Sequence, residues 1–192
     1  MLTLPRTLTL TPDQFAEVCA ANPEAVLELA ADGTLIEMTP TGGNTSARNS
    51  ALVFQLQSWA RTVDGWIVFE SSGGFRLADG SVRSPDASLV RLDRWRALSE
   101  AEREGFPPLC PDLVVELASP SDELEVLRRK MVAYMTNGAR LGWLLLPQKR
   151  TVEVWTAAET ANSPLVLNDP SRLEAGLEFP GLVIDPRRIW EV

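Results

Sequence analysis

Hydrophobic and polar positions change period several times along the chain, and each change marks an element. Thr11-Pro12-Asp13-Gln14 reads as a helix opening: threonine caps, proline takes the first helical position, and glutamine lies three residues after the cap. That helix is expected to end near Ala21. Two short apolar segments, 25–29 and 34–38, flank Asp32-Gly33 and predict a hairpin. After a loop at 40–43, Leu52, Leu56, Trp59 and Val63 recur at helical spacing, so residues 45–63 read as an amphipathic helix. Runs at 66–70, 74–78 and 85–91 predict strands, the last two separated by an Asp79-Gly80 turn.

Residues 93–105 read as a short, charged surface helix. The stretch 112–118 is almost continuously apolar after its aspartate, the pattern of a strand buried on both faces. Pro120, Ser121 and Asp122 then announce a helix, with Glu125 three residues after Asp122 as a capping box. Leu124, Leu127, Met131 and Tyr134 form its buried stripe, and Asn137-Gly138 ends it. A buried strand at 140–146, a turn at 147–150 and an alternating strand at 151–155 follow, and 164–192 adds short strands and a last turn. Helix, meander, strand, helix, strand is an α/β order. With no internal repeat and no long linker, residues 1–192 read as a single domain.

Composition narrows the class of protein. A hydrophobic share of 45% and a charged share of 23% are those of a globular chain, not a disordered one. The run at 141–146 is among the longest apolar ones, far short of the ~18 residues of a membrane span. The first residues carry no basic region followed by a long apolar stretch, so no secretory signal is expected. Cys19 and Cys110 are too few for a disulfide framework or a cysteine-rich zinc site, and the expected compartment is the cytoplasm.

The chain has no histidine, which removes Ser-His-Asp and Cys-His hydrolases and most zinc enzymes. Carboxylates with a hard cation, or a lysine, remain for hydrolytic chemistry. A net charge of −8 argues against a general nucleic-acid coat but leaves room for a local basic groove. Residues 123–150 carry six basic and two acidic side chains, a local +4 that suits either a DNA backbone or a solvated helix face.

Three residues stand out. Glu116 sits mid-strand among Leu113, Val114, Val115 and Leu117, where an unpaired charge would cost several kcal/mol. A cation, a basic side chain or a proton must compensate it; a structurally paired glutamate is the plainer alternative. Asp86 follows Pro85 at a strand start, with Ser88 and Val90 on its face. Proline-aspartate pairs are also ordinary turn chemistry, and the chain has two more at Pro12-Asp13 and Pro111-Asp112. Asp112 shares the strand face of Glu116 but lies roughly 13 Å along it, too far to share a small cation. Lys130 is one of two lysines beside 16 arginines. It lies at the edge of its helix's buried stripe, where it either faces a cleft beside Glu116 or snorkels to solvent.

The block PPLCPDLVVELASPSDELEVLRRKMVAYMTNGARLGWLLLP, preceded in order by DGTLIEMTPTGGNTSARNSAL, FESSGGFRL and SVRSPDASLV, resembles the Uma-type restriction endonuclease family of the PD-(D/E)XK nuclease superfamily. That family was formerly catalogued as a domain of unknown function. The likeness runs from about residue 12 to 190. It implies a restriction-endonuclease-like core, a mixed central sheet flanked by α-helices, and Mg²⁺ or Mn²⁺ held by Asp86 and Glu116. The superfamily lysine ordinarily stands two residues after the glutamate, where this chain has Ala118. The family moves the lysine to the following helix, and Lys130 matches that position. Glu28 matches a family acidic residue and is expected as a further metal ligand. Asn49 stands where many relatives carry histidine. Ser119 and Ser121 read as strand-end and capping groups, and Tyr134 as packing.

The resemblance implies a Mg²⁺-dependent endonuclease hydrolysing phosphodiester bonds of DNA. The alternative is a catalytically silent module that binds nucleic acid or protein on the same fold. Restriction-type nucleases often form homodimers, and Trp95, Trp155 and Trp190 are the expected surface residues for one.

Overall fold

The computed structural model describes residues 8–38, 41–156 and 163–192. The expectations that fall on the first seven residues and on the start of the 40–43 loop lie outside that range. Helix α1 (Pro12–Ala21) opens on a reciprocal cap: the Thr11 side chain accepts from the Gln14 amide at 3.2 Å, and the Thr11 amide donates to Gln14 Oε1 at 2.9 Å. Strands β1 (Val26–Leu29) and β2 (Leu35–Met38) pair antiparallel around Asp32-Gly33. Gly33 has φ 83°, and a Cβ there would lie 2.8 Å from the Leu10 carbonyl, so only glycine fits. Helix α2 (Gly43–Ala60) buries Leu52, Leu56 and Trp59 as its spacing predicts.

Strands β3 (Trp66–Glu70), β4 (Phe75–Arg76), β5 (Val82–Arg83) and β6 (Ala87–Arg91) follow. The Asp79-Gly80 turn joins β4 to the two-residue β5, not to the strand expected at 85–91. Pro85 has no amide hydrogen for a ladder, and there the chain leaves one sheet and enters another. The helix expected at 93–105 is two, α3 (Leu92–Arg96) and α4 (Glu100–Glu104), because Ser99 and Glu102 build a capping box in the middle.

Strand β7 (Leu113–Leu117), helix α5 (Leu124–Thr136) and strand β8 (Leu141–Leu146) form a parallel unit. The capping box expected at the start of α5 does not form. Glu123 is the N-cap, without a side-chain bond, and Asp122 instead accepts the Ser119 amide at 2.7 Å. Strands β9 (Thr151–Thr156), β10 (Leu165–Asn168), β11 (Leu173–Glu174) and β12 (Val183–Ile184) and helix α6 (Arg187–Trp190) complete the described elements.

The central sheet has the order β10-β9-β8-β7-β6-β3, parallel between β7 and β8 and antiparallel elsewhere. A four-stranded sheet, β2-β1-β5-β4, lies beside it. Leu113, Val115 and Leu117 of β7 pack with α2 and α6 in one core, while Val114 joins Met131 and Tyr134 of α5 in another. Helix α5 seats over β8 at Gly142, where a Cβ would collide with the end of Met131 and lie 3.0 Å from that of Met135.

Two of the three tryptophans expected at the surface, Trp155 and Trp190, are buried, and Trp95 is half-buried, resting on Phe69 with ring centroids 5.1 Å apart. A sheet covered on both faces absorbs them into its cores.

Candidate active site

Register places the acidic residues. Strand β6 pairs Ala87 with Val115, so one residue further on Asp86 lies across from Glu116, on the sheet face that α5 covers. Asp86 Oδ2 accepts the Leu117 amide at 2.7 Å, tying the start of β6 to the end of β7. In the smaller sheet Leu29 pairs with Val82, which brings Glu28 opposite Arg83. Glu28 accepts from Arg83 Nη1 at 3.0 Å and from the Ser84 amide at 2.9 Å. Lys130 descends from α5 into this junction. Its Nζ lies 2.8 Å from Glu28 Oε1, 2.9 Å from Glu116 Oε1 and 3.1 Å from the Ser84 carbonyl. One turn later on α5, Tyr134 donates to Glu116 Oε1 at 3.0 Å. The seam between the two sheets therefore gathers Glu28, Asp86, Glu116 and Lys130 around the break at Pro85.

The charges do not balance. Three carboxylates face two cations, Lys130 and Arg83, and Glu28, Glu116 and Lys130 are each at most 9% exposed. Burial pushes Glu116 up to about 8; Lys130 opposes that rise, and the neighbouring Asp86 and Glu28 add to it. Burial likewise raises Asp86, against the Leu117 amide and Lys130, with Asp122 and Glu28 adding to the rise. For Lys130 burial acts downward, but Glu116, Glu28 and Asp86 hold it above the ordinary lysine value, so it stays an ammonium. Glu28 falls below its usual range because Lys130, the Ser84 amide and Arg83 outweigh its burial. The cluster holds Glu28 ionised, while Glu116 keeps a proton near neutrality.

Asp86, Glu116 and Lys130 thus meet, with Asp86 and Glu116 on one sheet face. Glu28 also joins them, its oxygens accepting from Arg83 Nη1, the Ser84 amide and Lys130 Nζ. Asp112 stays apart, paired with Arg94 Nη1 at 2.8 Å and bonded to the Arg91 amide at 2.9 Å. The Ser119 and Ser121 hydroxyls bond each other at 3.1 Å. Asn49 Oδ1 is buried without a hydrogen bond. Tyr134, read as packing, also donates to Glu116. The basic patch of 123–150 is largely neutralised: Arg128, Lys130, Arg140 and Arg150 are in ion pairs, leaving Arg129 and Lys149. Arg83 and the Ser84 carbonyl were missed, although Pro85 signals them. A residue before proline is held extended, and the missing proline amide leaves local carbonyls to other donors.

Among the described residues, no group of three or more histidine, cysteine, aspartate or glutamate side chains is arranged to hold a metal. The donor set still fits Mg²⁺, which usually takes one or two carboxylates and keeps waters and substrate phosphate oxygens for its other positions. Asp86 Oδ1 and Glu116 Oε2 make no hydrogen bond among the described residues, and a cation bound there would take the place of the Glu116 proton.

Sheet, crossing and cluster together define a restriction-endonuclease-like α/β protein. A solved structure described as a putative nuclease belonging to DUF820, from Anabaena variabilis, matches the fold with a TM-score of 0.75 and 21% identity, over 95% of this chain and 98% of that one. The Uma2 family, described as "putative restriction endonuclease", matches residues 12–187, and the chain belongs to that family. No curated protein matches it.

Proposed function

We propose that the chain is a metal-dependent nuclease that hydrolyses phosphodiester bonds of DNA, with its lysine supplied by α5. The observation that carries this reading is the placement of Lys130 Nζ, 2.9 Å from a buried strand glutamate whose cross-strand neighbour is Asp86. Asp86 and Glu116 would hold Mg²⁺ or Mn²⁺, whose chemistry when bound is to polarise a phosphate oxygen and acidify a water. Glu28 and the Ser84 carbonyl hold the ammonium in place, and Lys130, the Ser84 amide and Arg83 together keep Glu28 ionised against its burial. Lys130 stays charged and offers a compact donor to the negative charge that develops on the phosphate oxygens. Tyr134 fixes Glu116 Oε1, leaving Oε2 as the free oxygen.

The test is a cleavage assay on duplex DNA, single-stranded DNA and RNA side by side, with Mg²⁺ or Mn²⁺. Duplex DNA is expected to be cut, and Lys130→Ala to slow cleavage by more than ~10-fold, as loss of one transition-state contact does. Equal rates in both proteins would remove Lys130 from the chemistry. Calorimetric metal titration should show binding that disappears in Asp86→Ala and Glu116→Ala. A chain that neither binds metal nor cuts any of the three polymers is instead the silent binding module, a reading favoured by the ion pairs that already occupy Lys130.

A further inference from the structure

A pocket of about 410 Å³ opens at the start of α2 and is lined by Gly42, Gly43, Asn44, Thr45, Arg48 and Pro120. That volume lies within the ~300–1,000 Å³ of small-ligand sites. Gly42 is the N-cap of this 18-residue helix and supplies no side-chain bond. The first intrahelical bond there runs from the Ser46 amide to the Gly42 carbonyl, so the amides of Gly43, Asn44 and Thr45 have no partner within the helix. A Cβ at Gly42 or Gly43 would meet nothing within 4 Å, so these amides stand open to an incoming group.

Two side chains point to what that group is. Thr45 is only 7% exposed, yet its hydroxyl makes no hydrogen bond among the described residues. Arg48, one turn further along, has a buried Nε with no partner and forms no ion pair among the described residues. The arginines of the 123–150 segment are mostly matched with carboxylates, whereas this one lines a pocket at a helix end that favours anions. Pro120, three residues after β7, also lines the pocket, so the turn that leaves the Glu116 strand reaches it. The same turn continues to Asp122, whose charge reaches Asp86.

We infer that Arg48, Thr45 and the free amides of α2 bind a phosphate group, the phosphodiester flanking the one held at Asp86 and Glu116. Its place in a reaction rests on the nuclease reading; the binding itself does not. Amides at a helix end and a guanidinium are donors only, and the threonine hydroxyl can donate beside them, which matches a phosphate and disfavours a cation. A nucleic-acid strand would then be gripped by a donor pocket on one side of the turn and processed at the carboxylates on the other.

The test is amide NMR of the whole chain titrated with inorganic phosphate against chloride at equal ionic strength. The Gly43, Asn44 and Thr45 signals are expected to shift and saturate. Arg48→Ala should weaken the interaction by roughly tenfold, the worth of one charge-assisted contact, while Arg48→Lys retains part of it. The spectra themselves report whether each variant is folded. Unmoved amides in the wild type, or equal shifts in Arg48→Ala, overturn the pocket. In the cleavage assay Arg48→Ala should raise KM by about tenfold and leave kcat within about threefold, the mark of lost uniform binding. Phosphate shifts without any cleavage would retain the pocket and reject the nuclease reading. Cleavage with an unchanged KM in Arg48→Ala and silent amides would do the reverse.

Discussion

Helix α5 carries two basic side chains, two residues apart, that both reach buried glutamates, and the two arrangements are built to different ends. Arg128 donates through Nε to both oxygens of Glu153, at 3.1 and 3.2 Å, and reaches the exposed Glu125 at 2.8 Å. Its fork satisfies a single buried carboxylate from β9, and Glu125 remains in solvent. Lys130 instead bridges Glu28, which Arg83 also holds, and Glu116, which burial, with Asp86 and Glu28 nearby, pushes up to about 8 against the pull of Lys130. A closed pair of this kind positions a helix. A cluster under the same helix in which a buried carboxyl keeps its proton is where the proposed cation would act.

The comparison can be broken most sharply by activity. Glu116→Gln is expected to lower the cleavage rate by about 10²-fold or more, by removing a proposed ligand oxygen, whereas Arg128→Met should stay within about threefold of wild type. Chemical denaturation should show the opposite order for folding. Arg128→Met leaves Glu153 buried without its partner and should cost about 3 kcal/mol, the low end for a broken buried pair because Arg128 is partly exposed. A nuclease rate that falls as far in Arg128→Met as in Glu116→Gln would erase the distinction.

A smaller effect follows from pH. Glu116 has a folded pKa of about 8 against an ordinary 4.5, so between those values the folded chain keeps a proton that the unfolded chain releases. The unfolded state then binds fewer protons, and stability falls as pH rises. The metal-free protein should therefore be most stable below about 4.5 in this respect, and lose that contribution as pH climbs toward 8. Melting temperatures measured across that window should decline in the wild type and flatten in Glu116→Gln; equal slopes would contradict the placement of the proton. The smallest change is expected of Tyr134→Phe, which removes one donor from Glu116 and should cost about 1–2 kcal/mol with only a few-fold loss of rate.

Much of this was legible in the chain. The apolar run around Glu116 announced a strand covered on both faces, and the single lysine among arginines on the next helix pointed at it. Registers were not legible. Nothing local says that β5 intervenes after Asp79-Gly80, or that Glu28 lands opposite Arg83, because pairing across more than fifty residues depends on which sheet each strand joins. Glu153 was hidden for a related reason. The alternation in 151–155 suggests a wet face, but α5 covers that side and Arg128 compensates the carboxylate. Tyr134 looked like packing because its ring is packing; only the hydroxyl serves Glu116. Trp155 and Trp190 are buried because both faces of the central sheet are covered, which no local pattern around them announces.

The seat of α5 at Gly142 has an evolutionary consequence. The ammonium hangs from a helix whose height over the sheet is set by two methionine tips resting where β8 has no side chain. Lineages that enlarge position 142 must trim Met131 or Met135 in step, or the amine drifts from its carboxylates while every charged residue is still inherited intact. Covariation of those three sizes, and not of the acids alone, is then the trace that selection on this chemistry leaves in descendants.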